Sequence, residues 1–550
     1  MKRQTSEDIM KNVQTQSQGR RSDFRVRRSH GEGEGPWSAD SAGDGPRGGG
    51  TATAIALRRK FLVGGVPPPR RATRMHTRGV RAPRPQVAAD LNSMPMGGTA
   101  PTARGVYAAA PTRFAAMMTA LMLGNCALPL VSPAAPATRP NVIFILADDL
   151  GWGDLSCYGN TFLRTPNLDR LAQGGALFTQ FYVAGSVCSP SRSAFMTSMY
   201  PARNRIHGHY ATPEMNTARG MSQWLDPKIP NVAALLRAAG YTTAHVGKWH
   251  LGNGSGGPPI ADYGFDFVGT GETGGADVAR GDPYFRARSS ALFVDESLQF
   301  IRGAGGKPFY LQLWTLVPHA TLNPTPEQLE PFNRFSNPNI PHKSARTIYY
   351  ASVADLDREI GRLLDGLGQL GLADNTLIFF SSDNGPEEIF ITNAGHSGVG
   401  SPGPFRGRKR SLYEGGVRVP FLVRWPGRVP AGRVDDTSVL GGVDFLPTVA
   451  RLAGATVPAS HRMDGEDVSD ILLGRARPRT QPLLWEWRFN IAGHVSSRSP
   501  QLAIRDGDWK LLLNPDRSRV ELYDLPRDPM QVDNVAGQQP AVVARLAERV

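Results

Sequence analysis

Cysteine is scarce in this 550-residue chain, three residues in all, and that excludes a disulfide-stapled scaffold. No glycine period, heptad run or series of membrane-length apolar stretches is present either, so collagen-like, coiled-coil and polytopic membrane architectures fall away. Acidic residues are short only at the front. Residues 1–137 hold 20 Lys and Arg against 8 Asp and Glu, whereas the other 413 residues hold 42 against 40. The formal charge of +14 therefore belongs to the front end. The remainder lacks the basic excess that nucleic acid demands, and no nucleic-acid partner is expected. The rest of the composition is ordinary for a globular protein, with 40% hydrophobic and 20% charged residues. The length suggests two to four compact units at roughly 150 residues each.

Residues 1–105 are rich in Gly, Pro, Ser and Arg without apolar periodicity, a composition that cannot offset its own ordering entropy. Arg104 and Arg113 then precede an apolar stretch over residues 114–124, and small residues and prolines follow, ending Ala135-Pro136-Ala137. A basic flank, a short apolar core and an Ala-x-Ala site describe a secretory signal peptide over about 104–137, reached from an internal start such as Met94 or Met96. The expected location is periplasmic or secreted. Cys126 follows Leu-Gly-Asn, a poor lipoprotein box, so neither a lipid anchor nor a stable membrane span is expected in the mature protein. The expected organisation is an extension over 1–137, a catalytic domain over 138–430 and a C-terminal subdomain over 431–550.

From residue 139 the chain reads as α/β. Residues 141–146 form a near-continuous apolar run, the pattern of a central parallel strand buried on both faces, and Asp148 and Asp149 follow at once. Residues 376–380 form a second run, ahead of Asp383 and Asn384. Residues 242–246 lead to Lys248 and His250, residues 309–317 lead to His319, and residues 419–425 are a further strand candidate. Ligands bind beyond the carboxyl ends of strands in open parallel sheets, so four runs are expected to deliver Asp, Asn, Lys and His to one edge. Helical spacing starts at Asn167, spans 231–240 with Gly240 as the stop, and spans 349–367. Beyond residue 430, a helix over 443–452, strands over 501–504, 509–513 and 520–525, and a helix from Pro540 predict a small antiparallel sheet beside the main domain.

Asp148, Asp149, Asp383 and Asn384 are four oxygen donors at two strand ends. Three carboxylates drawn together repel one another and resist desolvation, so a hard divalent cation is expected among them. The oxygen set favours Ca²⁺ or Mg²⁺ over Zn²⁺, which prefers His and Cys. Cys188 stands two residues before Pro190, which suits the first turn of a helix, so its sulfur is expected at a helix N-terminus with Arg192 close by. An unmodified thiol there is expected to be an activated nucleophile. His207, His209 and His396 are candidates for a substrate mouth. Trp485, Trp487 and Phe489 are either a sugar-stacking surface or a core between domains.

Cys188-x-Pro190-Ser191-Arg192 resembles the type I sulfatase signature, in which the cysteine is oxidised to formylglycine. The order around it resembles that family as well: Asp148-Asp149, Gly247-Lys248-Trp249-His250, Pro318-His319, Ser382-Asp383-Asn384-Gly385, then Lys409, Glu414 and Arg418, and near the end residues 505–511 and 521–525. The resemblance covers about residues 139–540 and its cysteine motif is specific. Two departures stand out. Thr197-Ser198 occupies a place where the family usually has Thr-Gly, and the proline often found two places after the histidine is absent at Thr321.

The resemblance implies an alkaline-phosphatase-like fold, a large, mainly parallel mixed sheet sandwiched by helices. It implies a sulfuric ester hydrolase whose nucleophile is the gem-diol of formylglycine at position 188 on a calcium ion, Mg²⁺ being the lesser choice. Asp148, Asp149, Cys188 (as formylglycine), Asp383 and Asn384 would hold the metal. Arg192 would stabilise the nucleophile, Lys248 and Lys409 would clamp the sulfate, His319 would protonate or orient the leaving alcohol, and His250 would take a proton from the second hydroxyl. The partners implied are a formylglycine-generating or anaerobic sulfatase-maturing enzyme and a sulfated carbohydrate or aryl sulfate substrate; residues 383–386, 403–407 and 414–416 are similar to N-acetylgalactosamine-6-sulfatase-like and other glycan sulfatases. A phosphatase or phosphonate monoester hydrolase of the same superfamily is the alternative enzyme, and a non-catalytic glycan-binding protein is the alternative if Cys188 stays a thiol.

Overall fold

The computed structural model describes residues 139–550 apart from 253–255, 272–281, 392–394 and 492. The basic extension, the signal-like segment and Cys126 lie outside the described residues.

Strand β1 (Asn141–Ala147) is buried at every residue. Val142, Phe144 and Leu146 enter one apolar cluster, while Ile143, Ile145 and Ala147 enter another on the opposite face. A strand apolar on both faces belongs at the centre of a sheet. Eight further described strands join it: β2 (Ala176–Tyr182), β3 (Thr242–Gly247), β4 (Phe267–Val268), β5 (Phe309–Trp314), β6 (Thr376–Ser382), β7 (Arg418–Arg424), β8 (Arg433–Asp435) and β9 (Leu440–Gly441). Their order is β4-β3-β5-β1-β6-β7-β2-β8, with β9 also paired to β2. The run β4-β3-β5-β1-β6 is parallel, and β7 pairs antiparallel to both β6 and β2. Strand β5 stops at Trp314, short of the expected residue 317. There the chain leaves the ladder to close over the end of β1, with Asp148 N–H donating to Val317 O at 3.3 Å.

The principal helices are α1 (Pro166–Gln173), α2 (Cys188–Thr197), α3 (Val232–Ala238), α4 (Phe285–Gly303), α5 (Ala345–Gln369), α6 (Phe445–Ala453) and α7 (Pro540–Ala547). Residues of α1, α4 and α5 fill the cluster on one face of the large sheet, and residues of α2, α3 and α6 fill the other. Local chemistry sets the ends. The Asn231 side chain accepts from the Ala233 and Ala234 amides, and the Ser344 hydroxyl accepts from Thr347 N–H.

Strands β10 (Leu483–Glu486), β11 (Leu502–Asp506), β12 (Trp509–Leu513) and β13 (Glu521–Asp524) make a second, antiparallel sheet in that order. The periodicity anticipates the last three and α7; β10 is an addition. One face of this sheet joins the larger cluster through Trp485, Ala503, Leu512 and Tyr523, and the other packs Ile504, Leu511 and Leu522 with Leu546 of α7. A buried polar tie joins the sheets: Lys510 Nζ lies 2.8 Å from Glu414 Oε1, and Tyr182 OH donates to Glu414 Oε2 at 2.6 Å. Trp485 and Trp487 are buried, with Trp485 Nε1–H donating to Val183 O, so these two indoles form core and not an exposed sugar platform. No described helix is long and apolar enough to cross a membrane.

Candidate active site

Strands β3, β5, β1 and β6 are consecutive and parallel, so the residues just past their carboxyl ends meet at one edge. This edge gathers Lys248, His319, Asp148, Asp149, Asp383 and Asn384. Two glycines let the chain turn there. Gly247 has φ 102, and a Cβ on it would stand 1.9 Å from Trp314 O; a Cβ on Gly385 would stand 1.9 Å from Gly415 O. Asp149, His250 and Arg410 are non-glycine residues in the left-handed region, at φ 68, 52 and 75, so this edge carries strained backbone.

Cys188 is the first residue of α2, preceded by Val187 in an extended conformation. Its Sγ lies 3.5 Å from Asp148 Oδ1 and 3.6 Å from Lys248 Nζ. The expected activation of the thiol is corrected by the structure. Burial, with the Asp383 carboxylate next, pushes the Cys188 thiol up against the pull of Lys248 and Lys409. Arg192 does not reverse this, because its donors are committed. Its Nε and Nη2 donate to Asp383 Oδ2 at 2.9 and 2.7 Å, and Nη1 donates to Lys248 O at 2.8 Å. The α2 terminus thus holds a protonated thiol, a poor nucleophile as it stands.

Lys248 Nζ donates to Asp148 Oδ2 at 2.6 Å, and Lys409 Nζ sits 2.7 Å from both oxygens of Asp149. Burial pushes Asp148 up, but the permanent cations Lys248 and Arg192 hold it well below the usual carboxylate range. Burial instead wins at Asp149, where Asp148 and Glu387 add to it against Lys409, and at Asp383, where Asp148 adds to it against Arg192. Two of three carboxylates therefore stay raised despite the lysines and the arginine. Asn384 donates from Nδ2 to Asp149 Oδ1 at 2.7 Å, while its Oδ1 is buried without a hydrogen-bond partner. Buried carboxylates that stay raised beside their ion-pair partners and an orphaned amide oxygen suit a hard divalent cation. Ligand atoms of Asp148, Asp149, Cys188 and His319 all lie within 4.8 Å of one another. His319 thus joins this cluster although the sequence points to it for catalysis. Asp383 stays outside it, one oxygen held by Arg192 and the other accepting Asp149 N–H at 3.1 Å.

The two histidines nearest the carboxylates, His250 and His319, are held neutral. His250 Nε2–H donates to Tyr210 O at 3.2 Å, leaving Nδ1 buried and unpartnered; burial, Lys248 and Arg192 drive its protonation well below the ordinary range. His319 donates from Nδ1 to Ala320 O at 2.6 Å and holds Nε2 3.7 Å from Asp149 Oδ2. Burial and the Lys409 cation lower it to about 3. Among the mouth candidates, His209 is lowered to about 3 by burial and by Arg219, Lys409, Arg410 and Lys248, which puts it beside the cation cluster. His207 instead pairs with Glu486 from β10. His396, in the turn over Gly395–Val399, has an unpartnered Nδ1.

Glu387 and Arg410 extend the set read from the sequence. Glu387 lies 3.4 Å from Lys409 Nζ and accepts from Arg410; these cations outweigh its burial and bring it down to about 2. Its signal is its place three residues after Asn384. Arg410 is harder to find, because residues 406–410 hold four cations whose partners only the fold distinguishes.

Comparison with known proteins matches this geometry to a family. Residues 140–455 match the family model described as Sulfatase, and residues 405–550 match one described as N-sulphoglucosamine sulphohydrolase, C-terminal. The chain is 32% identical over 488 residues to human arylsulfatase A, covering 76% of this chain and 89% of that protein. It is 30% identical over 505 residues to N-acetylgalactosamine-6-O-sulfatase of Bacteroides thetaiotaomicron, covering 74% and 92%. Among solved structures it resembles Ps i-CgsB in complex with a neocarrahexaose, with a TM-score of 0.63 and 27% identity over 75% of this chain and 92% of that one. By family model, by near full-length relatives and by fold, the chain belongs to the sulfatase family, enzymes that hydrolyse sulfate esters.

Proposed function

We propose that this sulfatase removes sulfate from a sulfated carbohydrate, using residue 188 as formylglycine beside a calcium ion. The observation that carries this reading is the position of Cys188 Sγ, buried at the start of α2 between the Asp148 carboxylate and the Lys248 ammonium. A protonated thiol in that position is idle, which favours an oxidised side chain there. As an aldehyde hydrate, residue 188 would supply a hydroxyl nucleophile and a second hydroxyl able to lose a proton. Asp148, Asp149, Asp383, Asn384 and residue 188 would hold the cation, which supplies charge neutralisation and polarises a sulfate oxygen.

The chain's own side chains account for the remaining roles. Lys248 and Lys409 are buried ammonium groups paired with Asp148 and Asp149, where low dielectric would strengthen their pull on charge developing beside residue 188. Arg192 acts as a positioning cation: it orients Asp383 and, through the Lys248 carbonyl, the loop that carries Lys248. His250 presents an unprotonated Nδ1 and can accept a proton. His319 is held by Ala320 O with Nε2 turned toward the pocket. Held in this way, His319 can orient the leaving oxygen, and it would act as its acid only after Nε2 has taken a proton from water, which the negative charge of a bound sulfate ester favours by offsetting Lys409. Carbohydrate is favoured over a small aryl ester because one relative is an N-acetylgalactosamine-6-O-sulfatase and one structural neighbour was solved with an oligosaccharide. Export through the segment over 104–137 and modification by a formylglycine-forming enzyme belong to the same reading, as do the divisions at residues 137 and 430.

The test compares an aryl sulfate with the matching aryl phosphate, before and after exhaustive chelation. Sulfate release that is lost on chelation, restored by Ca²⁺ and well above phosphate release is expected. Full activity after chelation overturns the metal assignment, and a preference for phosphate overturns the sulfatase mechanism in favour of a phosphoryl enzyme.

A further inference from the structure

The loop over residues 207–210 borders the reacting groups. Tyr210 N–H donates to the hydroxyl of Ser189, next to residue 188, at 3.0 Å, and Tyr210 O accepts from His250. The outer wall of this loop comes from the far end of the chain. His207 pairs with Glu486 of β10, and Phe489 packs so closely against Gly208 that a Cβ there would stand 2.9 Å from its ring. Phe489 is braced edge-on against buried Trp487, ring centroids 5.3 Å apart.

On this wall lies Arg219. Its guanidinium carbon is 5.3 Å from the Phe489 ring centroid, and Nη1 donates to His209 O at 3.1 Å. The other cations here are neutralised: Lys248 by Asp148, Lys409 by Asp149, Arg410 by Glu387 and Arg192 by Asp383. Arg219 has no carboxylate within ion-pair distance among the described residues, and partial burial alone lowers its proton affinity. A cation stacked on a braced aromatic ring and left unneutralised beside an anion pocket is an arrangement that an anionic partner completes.

We propose that Arg219, seated on Phe489 and tied to His209, is a second anion-binding point, so that the preferred glycan carries a further negative group near the sulfate that is removed. This rests on the sulfatase reading of the adjoining pocket and adds to it the substrate class, a sugar bearing two anionic groups. A second sulfate and a uronic acid carboxylate offer the same chemistry to a guanidinium. The subsite joins the small antiparallel sheet to substrate choice, because Phe489 lies three residues past the end of β10.

The test measures kcat/KM for four esters: an aryl sulfate, a monosulfated hexosamine, its disulfated counterpart, and the monosulfated hexosamine linked to a uronic acid. In the wild type, at least one dianionic sugar is expected to be preferred over the monosulfated sugar by roughly ten- to hundredfold, the range of a charge-assisted hydrogen bond. In Arg219→Gln that ratio collapses through KM, while Arg219→Lys keeps part of it. Ratios within one variant cancel partial misfolding. Which dianionic sugar loses its advantage identifies the second group as sulfate or carboxylate. A wild-type ratio near one, or a ratio unchanged in Arg219→Gln, overturns the subsite while sulfate release from the aryl ester leaves the sulfatase reading standing. No sulfate release by the wild type from any of the four esters overturns both.

Discussion

Gly247→Ala tests how the sheet delivers its chemistry. Gly247 closes β3 at φ 102, and the oxygen that its missing Cβ would strike, Trp314 O at 1.9 Å, also accepts Lys248 N–H at 2.8 Å. One methyl group therefore meets the contact that fixes where Lys248 leaves the sheet. Left-handed strain at a non-glycine residue costs about 1–3 kcal/mol, and loss of that hydrogen bond adds about 1 kcal/mol. A total of about 2–4 kcal/mol should appear in urea unfolding as a lower midpoint. Relief of the clash moves Lys248 away from Asp148, now 2.6 Å distant, and from residue 188. A displacement of about 1 Å in such a site lowers kcat on the order of a hundredfold. The assay is aryl sulfate turnover beside the urea curve. A variant within about 0.5 kcal/mol of the parent and with unchanged kcat would refute the reasoning, since β3 could then end without a glycine and Lys248 would not depend on Trp314 O.

Other predictions concern stability. Ser198 ends α2 at φ 57 where the family usually has glycine, so Ser198→Gly should stabilise the fold by about 0.5–1 kcal/mol in urea unfolding, and a destabilised variant would show that its hydroxyl bond to Gly465 N–H outweighs the strain. Lys510→Met leaves buried Glu414 with Tyr182 and Arg418 alone and should cost about 3 kcal/mol; a loss under about 1 kcal/mol would deny that the tie between the sheets matters. His245, enclosed between Gly247 O and Gln312, is lowered from 6.5 to about 3 by burial. Between those values the unfolded chain binds a proton that the native state refuses, so stability falls as pH drops, by at most about 1.4 kcal/mol per pH unit for this group. His245→Gln should flatten the slope of unfolding free energy between pH 6 and pH 4, taken as roughly that window, and an unchanged slope would place the proton elsewhere.

The parallel core was legible because its strands are apolar on both faces and end abruptly in polar residues. Residues 141–147 followed by Asp148 and Asp149 are the clearest case, and the same reading supplies Lys248, His319, Asp383 and Asn384. The Cys188 helix was legible through Pro190. Less visible were β2, whose antiparallel place beside β7 depends on a long-range pairing, and β10, four residues long without a distinctive turn. The state of the thiol could not be read from the motif, because it is set by burial and by the Asp383 carboxylate, a residue far away in the sequence. Glu387 and Arg410 were hidden for a related reason: Glu387 pairs with Lys409 and Arg410, members of a crowd of cations whose ion pairs are settled by packing.

Residue 188 decides the chemistry, and its oxidation state is directly measurable. The measurement is the mass of the proteolytic peptide containing this residue, taken from protein that releases sulfate. The expected result is the loss that accompanies conversion of the thiol-bearing methylene to an aldehyde, together with no turnover in Cys188→Ala. An intact thiol in fully active protein would contradict it.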